Sequence, residues 1–309
     1  MGKAFNYQEG STSRYGLEPY QGRKTRHICP SCKDKEASFT RVIDLTTGKY
    51  VGDEFGVCSR FIKCGYKMFP SSGGKASLVS VSDIKEDYKS CLNPIPSLIP
   101  PNHFIPTCLG SYKNNLGQFL ITKFGKDKVK NAFNTYQIGI HDHWENATVF
   151  WQISKDYAVR TGKVMDYDIN TGKRIKKPYA RINWMHSVLQ LGDFNLKQCY
   201  FGEHLLSLNL DEYHFAESEK TAIICHIKNP EKAWVATGGL MNLTTEKLEP
   251  FKDKKIKLYP DKGAAYELWC RTIEDRGLNK IYDIEVISFL EKKSKVKEGE
   301  DMADYILRL

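Results

Sequence analysis

The stretch Lys255–Trp269, KIKLYPDKGAAYELW, decides how the C-terminal half is read. It runs as a strand through an acidic turn into a helix, with Asp261 where the strand should end and Gly263 two residues on. Working outward, the same grammar repeats. EYHFAES (212–218) reads as a strand before the helix EKTAIICHIKN, and AWVATG as a strand before the short helix TTEKLEPF. YDIEVISF reads as a fourth strand, and GEDMADYILRL as a closing helix. Strand–helix alternation with short connections predicts a parallel sheet with helices on both faces. Such sheets gather ligands at the carboxyl ends of their strands. The residues there are Glu217, the glycine pair Gly238 and Gly239, and Asp261. Two carboxylates at neighbouring strand ends suit Mg²⁺ or Mn²⁺, hard cations that take oxygen ligands. Asp301 and Asp304, one helical turn apart, add carboxylates if the last helix folds back. The glycines let a backbone approach a phosphate closely, and Lys262 offers a charge for one. Each acid also has an ordinary reading: Glu217 as a helix N-terminal charge, Asp261 as a turn residue after Pro260.

Upstream, NLGQFLITKFGKDKVKNAFNTY reads as helical, with Leu116, Phe119, Leu120, Phe124, Val129 and Phe133 at apolar positions. ATVFWQIS, YAVRTGKVMDYD and KPYARINW read as strands joined by turns such as NTGK. Between Lys155 and Arg181 eight Lys or Arg stand against three Asp. Lys173, Arg174, Lys176, Lys177 and Arg181 are interleaved with Tyr179 and close to Trp184, a pattern suited to phosphate contacts plus base stacking. His141, His143 and His186 show no ligand spacing.

Near the N-terminus, Cys29-x-x-Cys32 forms one tight knuckle and Cys58-x5-Cys64 a wider second one. SFTRVID and FGVCSR between them read as strands and TTGK as a turn, so the pairs come together as a zinc ribbon with four thiolates on Zn²⁺. Four ligands leave no open position, so this metal is expected to be structural, holding together a module too small for much core. His27 is an alternative ligand to one cysteine. Arg23, Lys24 and Arg26 lie beside the ribbon as candidate nucleic-acid contacts. The other five of the nine cysteines are scattered singly, unlike a secreted disulfide scaffold. After Pro70, SSGGKASLVSVSD has linker composition, and NPIPSLIPPNHFIP is expected to be extended and non-helical. The expected division is a zinc ribbon at 1–70, a linker at 71–107, a basic α+β subdomain at 108–205 and an α/β domain at 206–309.

In 309 residues, 41% are hydrophobic and 27% charged, and the formal charge is +9, which favours polyanionic partners. No run approaches the ~18 apolar residues of a membrane span, and MGKAFNYQEG has no apolar signal core. The expected compartment is the cytoplasm.

The order of ribbon, basic middle region and Glu-strand/Gly/Asp-strand unit resembles that of bacterial and phage DnaG-type primases. The C-terminal unit is similar to a Toprim domain. FAESEKTAI matches its glutamate motif at Glu217, YPDKGAA the first position of its Asp-x-Asp motif at Asp261, and GEDMADYIL an Asp-x-x-Asp end at Asp301 and Asp304. CYFGEHLL stands where primases carry a short Phe-Gly-Leu-like stretch. Through FWQIS, TGKVMDYDINTGKR, INWMHS, ATGG and YPDKGA, nearly the whole chain also resembles a poorly characterised zinc-ribbon/Toprim-like family carried on mobile elements of gut bacteria. The resemblance implies a primase-like protein in DNA replication of such an element. It would bind single-stranded DNA or RNA and carry out Mg²⁺-dependent primer synthesis, with a replicative helicase or relaxase as the partner class to expect. Glu217 would be acid/base or metal ligand, Asp261 a metal ligand, Asp301 and Asp304 auxiliary ligands. This chain departs from the pattern at Gly263, where active Toprim enzymes carry a second Asp. A two-metal mechanism needs both cations clamped. The alternatives are therefore a nucleic-acid-binding module with a degenerate metal site, or a Toprim-type nuclease.

Overall fold

The structure is a computed structural model that describes residues 14–19, 22–60, 64–70, 76–77 and 95–309. Of the expected linker, residues 71–75 and 78–94 lie outside the described residues. The chain separates into two compact units, residues 1–93 and 94–309.

The first unit is a five-stranded sheet in sequence order: β1 (Tyr15–Leu17), β2 (Phe39–Asp44), β3 (Gly56–Cys58), β4 (Lys67–Pro70) and β5 (Ala76–Ser77). Every pairing is antiparallel. Its core is small: Cys29, Phe39 and Cys58 are fully buried, with Tyr66 packed against them.

The second unit opens on α1 (Pro101–Cys108). Here the structure corrects the expectation that the proline-rich passage is wholly non-helical. Pro101 sits in the first turn, where its missing N–H would have no intrahelical partner anyway and its fixed φ suits the helix. Only Pro106, inside the helix, costs a hydrogen bond. Ile99 is buried in a cluster with Val149, Trp151 and Met185, so this passage packs into the second unit. The predicted single helix is two: α2 (Asn115–Phe124) and α3 (Lys126–Thr135). Gly125 between them takes φ 86°, a left-handed conformation that breaks the helix at little cost only for glycine.

Two four-stranded sheets follow. The first is antiparallel: β6 (Gly139–His141), β7 (Ala147–Ile153), β8 (Val159–Met165) and β9 (Ile182–Trp184), in sequence order, followed by α4 (Met185–Val188). β7 is buried along its whole length. The second comprises β10 (Glu212–Ala216), β11 (Trp234–Ala236), β12 (Lys255–Tyr259) and β13 (Ile284–Val286), all paired in parallel in the order β11-β10-β12-β13. It is flanked by α5 (Glu219–Lys228), α6 (Thr245–Leu248), α7 (Ala264–Asp275) and α8 (Met302–Leu307). The ribbon, the α+β middle and the C-terminal parallel sheet thus appear as the sequence indicated.

One hydrophobic core runs from Leu116 to Ile306 and joins α2, α3 and β7 to the parallel sheet. Buried Tyr136, just after α3, is its hinge pin. Its hydroxyl donates to the Trp234 carbonyl (2.9 Å) and accepts from the Trp234 N–H (3.0 Å), satisfying the outer edge of β11. Phe201 bridges to Ala236 beside it, so part of that edge is covered by chain from outside the sheet.

Candidate metal and nucleic-acid sites

In the ribbon, the Sγ atoms of Cys29, Cys32, Cys58 and Cys64 all lie within 4.8 Å of one another. Cys29 and Cys64 are 3.7 Å apart, Cys32 and Cys58 3.9 Å. The knuckles are locally built. Lys33 N donates to Cys29 O, Cys64 N donates to Arg60 O, and Cys58 N, at the end of β3, donates to Tyr66 O. Burial pushes the Cys29 thiol up to about 11, opposed by the amides of Cys32 and Ser31 that point at its sulfur. At Cys64 burial also raises the thiol, but the Tyr66 amide and the neighbouring thiols outweigh it and bring the pKa down to about 7. Four thiols converging at this spacing, with amides aimed at the sulfurs, fit tetrahedral Zn²⁺ and leave no position open. His27 is outside the cluster: its Nε2 pairs with Glu18 at 2.8 Å. Of the basic residues beside the ribbon, Lys24 is exposed, Arg26 reaches the Thr40 hydroxyl, and Arg23 lies in a short 3-10 turn, Gly22–Thr25.

The second unit holds an open cavity of about 680 Å³ at the carboxyl ends of β10 and β12. Its lining includes the acids Glu217, Asp261 and Asp301 and a basic wall of Lys173, Arg174, Lys176 and Lys177, with Ser218, Lys220 and the apolar or aromatic Met165, Tyr167 and Ile175 as the rest. Glu217 follows β10 and Asp261 follows β12, and these strands pair directly, which brings the two acids to the same edge of the sheet. Asp301 arrives from the start of α8. Its Oδ1 caps that helix by accepting from Asp304 N (2.8 Å), while its Oδ2 accepts from the Thr221 hydroxyl of α5.

The acids are close enough to feel one another. Asp261 is raised to about 8, first by burial and then by Glu217, Asp301 and Asp304, with Lys220 opposing. Glu217 is raised by burial, then by Asp301 and Glu219, with Lys163 opposing. Asp304 is raised by burial and by Asp301. Such clustered, partly buried carboxylates are the donor chemistry a hard divalent cation uses, and a cation would remove their mutual repulsion. Among the described residues, though, only the four cysteines bring three or more ligand atoms within 4.8 Å of one another. Asp304 spends its Oδ2 on the Asp301 N–H as the second half of a capping box and does not line the cavity.

The basic wall is a tethered loop. Asp168 Oδ1 accepts from Asn170 N, Thr171 N and the Thr171 hydroxyl, and Tyr167 bridges to Arg174. Gly172 lies so tightly on Phe119 of α2 that a Cβ there would come within 2.3 Å of the ring. Lys173, Arg174, Lys176 and Lys177 are all exposed.

Four predicted residues lie outside this arrangement. Arg181 donates to buried Asp166 (2.7 Å) instead of extending the basic wall, because a buried carboxylate needs a partner. Lys262 does not face a phosphate site: its Nζ donates to the carbonyls of Lys293 (2.7 Å) and Val296 (3.0 Å). Gly238 and Gly239 stand off the cavity wall. The Gly238 carbonyl accepts from Lys163 Nζ at 3.4 Å, above the buried ion pair Lys163–Glu219. That pair was invisible in the sequence, its partners lying on β8 and α5. His141 Nδ1 accepts from His143 N, a local turn contact.

Comparison with known proteins gives two family models. One, a domain of unknown function (DUF6371), matches residues 114–262; the other, a zinc beta-ribbon finger, matches residues 13–77. No curated protein sequence matches the chain. The zinc-binding and RNA polymerase domains of the Aquifex aeolicus primase are similar at 12% identity, covering 95% of this chain and 77% of that one, with a TM-score of 0.46. The RNA polymerase domain of Mycobacterium tuberculosis primase DnaG is similar at 10% identity, covering 67% and 79%, with a TM-score of 0.45. The primase fragment of the bacteriophage T7 primase-helicase is similar at 11% identity over 84% and 88%, with a TM-score of 0.34. The ribbon model and the four-thiol cluster together point to a structural Zn²⁺ held by Cys29, Cys32, Cys58 and Cys64.

Proposed function

We propose that this chain is a primase-like protein that holds single-stranded nucleic acid and joins nucleotides on it with the help of Mg²⁺ or Mn²⁺. The supporting observation is one cavity lined both by Glu217, Asp261 and Asp301 and by Lys173, Arg174, Lys176 and Lys177. Acids alone would repel a phosphodiester and bases alone would only bind it; the two together suit a phosphate carried with its counter-cation. A divalent ion held by the three carboxylates would polarise a phosphoryl oxygen and neutralise charge developing there. The chain's own groups do the rest. Lys173, Arg174, Lys176 and Lys177 hold the strand, and Lys220, on the first turn of α5, faces the same space. Glu217 serves either as the third ligand of that ion or, left free of it, as the base that takes a proton from an attacking hydroxyl. Within this reading the chain is divided as a ribbon at 1–70, a basic α+β part to 205 and an α/β part at 206–309, with the later half of the expected linker 71–107 belonging to the second unit, where Ile99 and α1 pack.

The test is incorporation of ribonucleotides on a single-stranded DNA template. Wild type should give product only with Mg²⁺ or Mn²⁺, and Asp261→Asn should drop it to background. No product from wild type, or equal product from the variant, would break the reading. Reversing Lys176 and Lys177 to Glu should reduce the salt slope of single-strand binding by about 1 per residue. A second reading, binding without chemistry, is favoured by one observation: position 263 has no side chain, and the Glu298 carboxylate beside it is already donated to by Ala264 N (3.0 Å). Salt-sensitive binding with no product under any metal would select it. Metal-dependent cutting of the template would select a nuclease.

A further inference from the structure

We infer that Lys262 and the segment 291–300 form a strap that fixes Asp261 and Asp301 relative to each other, with Lys262 as a positioning residue for the metal site proposed above. The inference rests on that metal reading only for its ligand. The two acids are forty residues apart in sequence, yet the chain just after the first is stitched to the chain just before the second. Lys262 N donates to Glu300 O and Gly299 N donates to Lys262 O, both at 3.0 Å. The Lys262 ammonium spans the loop at the carbonyls of Lys293 and Val296. Gly263 N donates to Glu291 Oε1 (2.8 Å) and Ala264 N to Glu298 Oε1 (3.0 Å).

These last two bonds explain Gly263. The first N–H groups of α7 have no partner inside the helix and favour negative charge. Here the strap supplies both carboxylates. A Cβ on Gly263 would lie 2.0 Å from Glu298 Oε1, so the strap's carboxylate fills the place of a side chain at 263. The φ of 85° at this position is also one that only glycine takes freely. Glycine at 263 is thus what lets the strap close, and the strap runs straight into Asp301, the N-cap of α8. Thr221 holds Asp301 from the α5 side, so its carboxylate is set by two elements at once.

The experiment uses the full zinc-loaded chain and Mn²⁺ alone, read by electron paramagnetic resonance, with Asp261→Asn marking the site. Outer partners that orient ligands typically carry about 10–100-fold in metal affinity. Lys262→Met should therefore weaken the Asp261-dependent Mn²⁺ binding by about tenfold or more. Lys262→Arg should recover part of it, and exposed Glu298→Ala should weaken it less. Single-strand binding through Lys173–Lys177 should stay unchanged in all three, which a general loss of fold would not allow. Wild-type Mn²⁺ affinity in both Lys262→Met and Glu298→Ala would overturn the inference. If wild type shows no Mn²⁺ binding that Asp261→Asn removes, the metal reading fails by itself. Hydrogen exchange then decides the strap: faster exchange at 261–264 and 299–304 in Lys262→Met upholds it, and unchanged exchange overturns it.

Discussion

The chain gathers ligand-type side chains in two places, and they are built on opposite plans. In the ribbon, four thiols converge around a small core, with Phe39 buried beside them. In the parallel-sheet cavity, three carboxylates share a wall, held apart on β10, β12 and α8 by a core that runs across the whole second unit. The ribbon has little besides its four thiols to hold it together, whereas the sheet rests on its own core and holds its acids in place without help. The contrast is between ligand groups that stand in for a core and ligand groups that a core carries.

The harshest way to break that contrast is to remove zinc. Chelation, or Cys58→Ser, should unfold the ribbon outright, since structural zinc supplies roughly 10–16 kcal/mol of apparent binding free energy. The second unit's thermal transition should stay where it was, as read by circular dichroism with fluorescence of its tryptophans. A second unit that melts with the ribbon would show the two plans to be one. Next in size is Lys163→Met. Among the described residues the ammonium is the one charged partner of buried Glu219, and stranding such a charge costs about 3–5 kcal/mol. Urea denaturation should show that loss, and Lys163→Met with Glu219→Gln should recover much of it. Last comes a pH effect at Asp261. Its carboxyl is raised in the fold to about 8 from an ordinary 3.8, so the native state binds more protons between those values. Stability from this group is full below about pH 4 and is lost as pH rises through about 8. Asp261→Asn removes the penalty at the alkaline end. Its melting temperature should exceed wild type by about 2–4 °C per kcal/mol relieved near pH 8.5, and the gap should close near pH 4.5. A gap that widens on acidification would mean that neither burial nor the neighbouring acids raise Asp261 in the fold.

What the sequence made legible was local. Cys29-x-x-Cys32 announces a knuckle because both sulfurs belong to one turn, and KIKLYPDKGAA announces strand, turn and helix within eleven residues. What it hid was partner choice. Lys262 reads as a spare charge until the carbonyls of Lys293 and Val296 are seen to hold it, and Arg181 reads as part of a basic platform until buried Asp166 takes it. Lys163 and Glu219 are fifty-six residues apart, and no periodicity links such a pair. Proline also misled: its bar on helices applies after the first turn, and Pro101 stands inside that turn.

The Tyr136 hydroxyl carries a consequence for anyone who cuts the molecule. It finishes the hydrogen bonding of Trp234 on an edge strand, with Phe201 covering Ala236 next to it. A fragment starting at 206 would keep every strand of the parallel sheet yet shed both guards. The bared rim of β11, flanked by Trp234 and Val235, would then be a template for pairing with another copy. Such a fragment should precipitate or form ladders of sheets where the intact second unit stays monodisperse, so the boundary drawn by motif is a poor place for the scissors.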